Sequence, residues 1–317
     1  MASFGDLNRV NTNVQSLDAQ LSLNRVNRDL GNSRERLTTG KKINKAEDNA
    51  AGYSIATKLK SRVAGLEQSL QNVGDAKSVL DIAESSLDIV MDSLIEMKSL
   101  ATQAANDTLG STERGYIGDQ IEAIGADINE IANQTIYQDT ELLNGSDNSG
   151  SLTLTFQTGE RAADTISATI NAVNVGELFA ASGDASLGAT TAAGGGAASG
   201  GAISVTAATA SAQGSFTFAS TATSADFNAF ISAVDTAIDT MASNVNTIGI
   251  TQSSLSLRED TLSESISSTE SAKSRILDTD FAKEQSESVR LQILQQTATS
   301  ALAQANNGPQ AVLGFIG

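Results

Sequence analysis

The feature that most limits what this chain can fold into is a 3-4 spacing of apolar residues, sustained over long stretches at both ends of a 317-residue sequence. The clearest run is Leu66, Leu70, Val73, Ala76, Leu80, Ala83, Leu87, Val90, Leu94, Met97, Ala101 and Ala104. Intervals of three and four place such side chains on one seam of a helix. A seam kept for so many turns, with one irregular step, predicts a coiled coil rather than a short globular helix. At 1.5 Å per residue, a helix from about 63 to 105 is roughly 65 Å long. A second seam runs through Ile117, Ile121, Ile124, Ile128 and Ile131. A third runs through Phe227, Ile231, Val234, Ile238, Met241, Val245 and Ile248, then Leu255, Leu262 and Ile266. The three helices can pack as an antiparallel bundle, with the stretch from Asn106 to Thr112 turning the chain between the first two.

The extreme ends carry weaker seams. At the front these are Leu7, Val10, Val14, Leu17 and Leu21, then a phase shift to Leu23, Val26, Leu30 and Leu37; at the back they are Leu291, Leu294, Ala298, Ala301 and Ala305. Both segments are rich in Asn, Gln, Ser and Thr, so either helix alone is marginal in water and needs a partner. The natural partners are each other and neighbouring copies. Between about 145 and 224 the pattern changes. Leu152, Leu154 and Phe156, and later Phe216 and Phe218, alternate as in short strands, and Gly183 to Gly201 is a Gly/Ala/Ser/Thr tract that reads as loop. This centre is either a small β-rich outward domain or largely disordered. The expected fold is therefore mainly α: long antiparallel coiled-coil rods formed from both chain ends, with a small β-rich central outer domain. The expected divisions are 1–45 and 276–317 for the terminal helices, 46–144 and 225–275 for the two halves of the rods, and 145–224 for the outer domain.

Composition then narrows the function. There is no Cys, no His and no Trp, and the single Pro is Pro309. Without Cys or His the chain has no Ser-His-Asp or Cys-His nucleophile pair, no thiolate centre and no ordinary zinc site, which leaves carboxylate chemistry or oxygen-ligated calcium; the expectation is no enzyme, no cofactor and no metal. The front of the chain has no apolar run that reads as a cleaved secretory signal, and no segment is long and apolar enough to span a bilayer. The net charge of −17 is uneven: residues 1 to 62 hold eleven Lys/Arg against six Asp/Glu, and the remainder nine against thirty-one. The front's basic residues are interleaved with Asn, Ser and acids and lack aromatic stacking partners, which argues against nucleic acid. Strong acidity elsewhere argues against anionic membranes and for solubility at high local concentration.

Longer stretches are familiar. VNTNVQSLDAQLSLNRV from Val10, RERLTTGKKINKAEDNAAGYSIATKLKSRVAGLEQSLQN from Arg34, IGADINEIANQT from Ile124 and ELLNG from Glu141 follow one another as in the amino-terminal region of bacterial flagellins. SRILDTDFAKEQSESVRLQILQQTATSALAQANNGPQAVLGFIG, which closes the chain, is similar to that family's carboxyl-terminal signature. The resemblance implies a subunit that polymerises with itself into the flagellar filament, its two terminal helices pairing into an inner tube and its rods forming an outer one. It also implies export through the flagellar type III channel to an extracellular position, and partnership with an export chaperone, a filament cap and a hook-filament junction protein. On that reading Leu17, Leu21, Leu30, Leu37, Leu291, Leu294 and Phe315 supply apolar contacts of the inner tube. One part of the resemblance breaks. Flagellins detected by the animal innate receptor carry a QRVRELA-like stretch, and here Glu96 replaces a basic position and Ser99 an acidic one, so the resemblance does not extend to that recognition.

Other signals were weighed. The sequons at Asn106, Asn133 and Asn144 are read as chance matches. Asp278-Thr279-Asp280 and Asp147-Asn148-Ser149 complete no EF-hand loop and are read as solvated acids. A hook-filament junction protein shares the terminal plan and is one alternative. A surface adhesin built on the centre is another, but Phe156, Phe179, Phe216 and Phe218, with no Trp or Tyr, make a poor sugar-stacking surface.

Overall fold

The computed structural model describes residues 13–144, 150–180, 203–205, 214–219 and 222–316, with side chains as far as Asn307 and without that of Ala180. Leu7, Val10, the Gly183 to Gly201 tract and the side chain of Phe315 therefore lie outside the described residues. The chain is mainly helical. Its elements are α1 (Val14–Thr39), α2 (Ala50–Ala104), α3 (Ser111–Gln134), β1 (Ile136–Tyr137), β2 (Thr140–Glu141), β3 (Ser151–Gln157), β4 (Thr165–Asn171), α4 (Val175–Ala180), β5 (Ile203–Val205), β6 (Phe216–Phe218), α5 (Ser224–Leu277) and α6 (Phe281–Ile316). They form two compact units, Met1–Ala64 with Ile266–Gly317, and Gly65–Ser265. Helices α2 and α5 contribute residues to both.

In the unit made from the chain ends, α1 and α6 run antiparallel. Asn13 caps α1 by accepting the Ser16 amide and donates its own side-chain N–H to the Ala305 carbonyl at 2.8 Å. Further along, Gln295 donates to Asn27 at 2.7 Å. Gly40 ends α1 in the left-handed region, φ 70°, where glycine carries no Cβ penalty. The chain then forms a short antiparallel bridge to the start of α6, with Lys42 N–H to Leu277 O at 2.7 Å and Thr279 N–H to Gly40 O at 3.0 Å. Asp280 caps α6, accepting the amides of Ala282 and Lys283. Two acids read from the sequence as solvated thus have structural places: Asp280 is the helix cap and Asp278 lies in the bridge.

The second unit is built on long seams. On α2 the buried positions are Leu66, Ser69, Val73, Ala76, Leu80, Ala83, Leu87, Val90, Leu94, Met97, Ala101 and Ala104. Ser69 takes the place expected for Leu70, which is half-buried, and the irregular step disappears. A serine is tolerated there because its hydroxyl donates back to the Gly65 carbonyl at 2.8 Å. On α5 the buried set is Phe227, Phe230, Val234, Ala237, Met241, Asn244, Ile248, Thr251, Leu255 and Leu262. The expected Ile231, Ile238 and Val245 sit half-buried on its flank. Lys77 to Glu259 at 2.9 Å, Lys98 to Asp235 at 2.5 Å, and Gln252 to Asp81 and Glu84 join the two helices in antiparallel order. The hydrogen bond that Lys77 donates to Glu259 is the main cause that raises the Lys77 pKa above its ordinary value, with the surrounding acids adding to it.

Helix α3 corrects its expected seam too. Gly125 and Ala132 are buried where Ile124 and Ile131 were expected, and those two isoleucines are half-buried. The cause lies in β6, whose phenylalanines rest on α3: a Cβ on Gly125 would stand 2.6 Å from Phe216, and one on Gly118 2.9 Å from Phe218. Phe216 and Phe218 belong to a cluster with Phe179 of α4 and with Phe227 and Phe230 of α5, with ring centroids 4.8 to 6.3 Å apart. The turn into α3 is held by Arg114, which donates to the carbonyls of Ala104 and Asn106 at the end of α2. Three two-stranded antiparallel pairs, β1-β2, β3-β4 and β5-β6, complete the unit. Asparagines join them to the helices: Asn129 accepts the Val175 amide and donates to the Gly214 carbonyl, Asn144 donates to Asn133, and Asn171 donates to Asn244.

Candidate assembly surface

The α1–α6 pair is the weakest core in the molecule and the place where the expected contact residues fall. On α1 the side turned inward is Ser16, Ala19, Leu23, Val26, Leu30, Ser33 and Leu37; on α6 it is Glu284, Ser288, Leu291, Gln295, Ala298, Leu302 and Ala305. The two sets have the same intervals read in opposite directions, so they stack as seven layers. Small residues face large ones in the upper layers, as with Ala19 and Leu302 or Leu23 and Ala298. Leu30 and Leu291, 3% and 5% exposed, form the one layer of two fully buried large apolar side chains. The next layer is Ser33 and Ser288, both buried, and the Ser33 hydroxyl has no hydrogen-bond partner. Such a seam gives little burial per turn compared with the leucine, isoleucine and methionine layers of α2.

The seven expected contact residues separate accordingly. Leu30 and Leu291 are buried in their own pair, and Leu37 is half-buried. Leu17, Leu21 and Leu294 point away from it, 53%, 57% and 39% exposed. Phe315 lies outside the described side chains. The phase shift read in the front segment is thus two seams on one helix: the inward one from Ser16 to Leu37, and an outward one of Val14, Leu17 and Leu21 at intervals of three and four that continues into Arg25 and Arg28. Leu21, Asn24, Arg25, Asn27 and Arg28 line an open groove of about 620 Å³. Sequence reasoning missed Ile293, Val289 and Phe281 of α6, which are 59%, 45% and 59% exposed. Val289 and Ile293 follow from the inward set, since each stands two places from Leu291, and Phe281 is the first residue of the helix.

This surface offers apolar area and hydrogen-bonding amides. Among the described residues no group of three or more Asp or Glu is arranged to hold a metal ion, and no helix is long and apolar enough to cross a membrane. Arg290 hydrogen-bonds Glu287 one turn away on α6, which holds the Glu287 carboxyl below its ordinary pKa and raises that of Arg290.

Comparison with known proteins decides the family. Residues 10–148 match the bacterial flagellin N-terminal helical region and residues 231–316 the bacterial flagellin C-terminal helical region. The flagellin of Bacillus subtilis strain 168 is 32% identical over 97% of this chain and 99% of its own. The chain belongs to the bacterial flagellin family. Flagellin B of Vibrio cholerae, at 29% identity, and the flagellin of Listeria monocytogenes, at 28%, are similar over the same shares of both chains. As a flagellin it is a structural protein, the subunit of a helical filament. The two matched regions contain α1, α2, α3, α6 and most of α5, and between them lie β3, β4, α4, β5, β6 and the phenylalanine side of the second unit.

Proposed function

We propose that this flagellin leaves the cell unfolded through the flagellar export channel and polymerises outside it, the outward seams of α1 and α6 closing against the same helices of neighbouring copies. The observation that carries this is the contrast within α1–α6: a thin inward seam with two buried serines, and an outward side that leaves Leu17, Leu21, Ile293 and Leu294 in water. A pair so built gains most of its apolar burial from neighbours, so it orders on assembly. On this reading 1–45 and 276–317 form the inner tube, 46–144 and 225–275 the rods around it, and 145–224 the outer face. Leu30 and Leu291 hold the pair together, Leu37 lies at its edge, and Leu17, Leu21, Leu294 and Phe315 meet other copies. An export chaperone, a filament cap and a hook-filament junction protein are the further partners that family membership suggests.

The test is assembly of Leu17→Asp/Leu21→Asp beside the unchanged protein, followed by sedimentation and electron microscopy. The variant is expected to remain monomeric with the helicity of the wild type. Normal filaments from it would remove Leu17 and Leu21 from the interface.

A further inference from the structure

Strands β3 and β4 pair only with each other, so each has a second edge. Thr158 N–H donates to Asp164 O at 2.9 Å and Ala172 N–H to Gly150 O at 2.7 Å. These two bonds fix the alternation of the ladder between them: in the pairs Thr153↔Thr169 and Thr155↔Ser167 the N–H and C=O groups of both strands turn outward. The β3 edge meets α2, where Asn72 donates to the Gln157 carbonyl at 3.2 Å. The β4 edge runs along α5, with Asn171 bonded to Asn244 and Ile166 beside Leu257 and Arg258. Ser167 and Thr169 are exposed, and their main-chain groups have no hydrogen-bond partner among the described residues. Sheets usually blunt such an edge with charge, proline or a bulge; β4, TISATIN, has none of these. Beside it α5 turns outward Ile250, Ser254, Leu257 and Thr261, whose intervals of four, three and four place them on one helix side. Ile250 is 64% and Leu257 69% exposed. Ile166, Ser254, Leu257, Arg258 and Thr261 line an open groove of about 230 Å³. Arg258 is half-buried there and forms no ion pair with any described residue, whereas Lys77, Lys98 and Arg114 of the same unit each have a carboxylate partner.

We infer that this groove docks an extended, apolar peptide segment of another protein, ending in a carboxylate and added to β4 as a further antiparallel strand. An open row of N–H and C=O groups selects an extended main chain over a helix, because only an extended chain repeats its own donors and acceptors at the spacing of a strand. Ile250 and Leu257 receive aliphatic side chains at alternate positions of the segment, which removes apolar surface from water on both partners. Arg258 selects the charge. In a unit of five Lys/Arg and twenty-six Asp/Glu, it makes the Ile166 end of the groove a place where a carboxylate is attracted rather than repelled. Antiparallel addition fixes the direction, since it lays the carboxyl-terminal end of the segment beside Thr165 and Ile166, next to Arg258. The acid therefore belongs at that end. The site is built wholly from the second unit and does not rest on the polymerisation reading.

The test titrates the full chain, as monomer, into the labelled peptide Thr-Val-Thr-Val-Thr-Val-Glu and follows fluorescence anisotropy and amide exchange. Saturable binding is expected, with the amides of Ser167 and Thr169 slowed by about tenfold or more in the complex. Arg258→Glu weakens binding by about tenfold, and replacing the peptide's Glu by Lys recovers most of that loss. Leu257→Asp weakens it too, and circular dichroism checks that both variants keep the parent's helicity. On the parent itself, a peptide with Pro in place of the central Val loses binding because it has no N–H to give the edge. A parent that binds no peptide, or binds it without slowing Ser167 and Thr169, would overturn the inference. So would equal affinity in Arg258→Glu. Loss of assembly in Leu257→Asp, together with filaments that no longer take up a peptide that monomers bind, would assign the groove to a second copy instead.

Discussion

Asp48 lies in the loop between α1 and α2 and accepts the backbone amides of Asn44 at 2.9 Å and Lys45 at 3.0 Å. The Lys45 amide, then the Asn44 amide, hold its carboxyl below the ordinary pKa, with smaller help from the charges of Arg36 and Lys45. Because the folded pKa is depressed, the stabilisation is fully present above the unfolded value of about 4. It is lost as pH falls through the lower folded value. Asp48→Asn is expected to remove that acid dependence: amide exchange at Asn44 and Lys45, slowed in the parent above pH 4 and faster below it, becomes nearly independent of pH-linked protonation in the variant after correction for intrinsic rates. An unchanged acid transition would show that another carboxylate governs this loop. The same loop seats Ile43, 5% exposed, against Gly52, where a Cβ would stand 2.7 Å from the Ile43 side chain. Here the glycine makes room for a neighbour, as Gly118 and Gly125 do for the phenylalanines of β6. No apolar pattern marks such positions in a sequence, since a glycine and the ring it accommodates lie about ninety residues apart.

Among the elements, the long helices and their antiparallel order were legible from spacing, and the small side chains within the seams were not. Ser69, Asn244 and Thr251 are all buried at seam positions, and a reading that counts only apolar residues steps past each to the nearest large neighbour. The α2 seam also slips once, with Val63, Leu66 and Ser69 buried at two successive intervals of three, where the chain passes from one compact unit to the other. An extra interval of three overwinds a coiled-coil seam locally. Both seams of α1 were partly legible: Leu17 and Leu21 of the outward one and Leu23, Val26, Leu30 and Leu37 of the inward one were picked out, but the small residues Ser16, Ala19 and Ser33 were not. In that inward set the Ser33 hydroxyl is buried without a partner. Ser33→Ala is therefore expected to stabilise the α1–α6 pair by about 1 kcal/mol, the desolvation penalty of an unmade hydrogen bond. Slower amide exchange through the middle of α1 would register it, and faster exchange would mean that the hydroxyl is satisfied in solution. Strands β1, β2 and β5 escaped notice because strands of two or three residues are too short to show alternation, and β6 was marked only by its two phenylalanines.

For the whole molecule, charge divides with the fold. The unit made from the chain ends holds fifteen Lys/Arg against eleven Asp/Glu, and the other holds five against twenty-six. The second unit has deep seams, an aromatic cluster and cross-helix ion pairs of its own, all built from residues outside 1–40. Deleting those residues is expected to abolish polymerisation while leaving the thermal transition of the second unit within a few degrees of the parent, a shift typical of at most about 1 kcal/mol. Filaments from the truncated chain, or a truncated chain without helical structure, would each contradict this.

Asn13 bonds to the carbonyl of Ala305, 292 positions away. Closing so long a loop costs entropy that the turns of a single helix do not, so this contact is expected to come late in folding, and α1 waits for a mate that lies nearly three hundred positions along the chain.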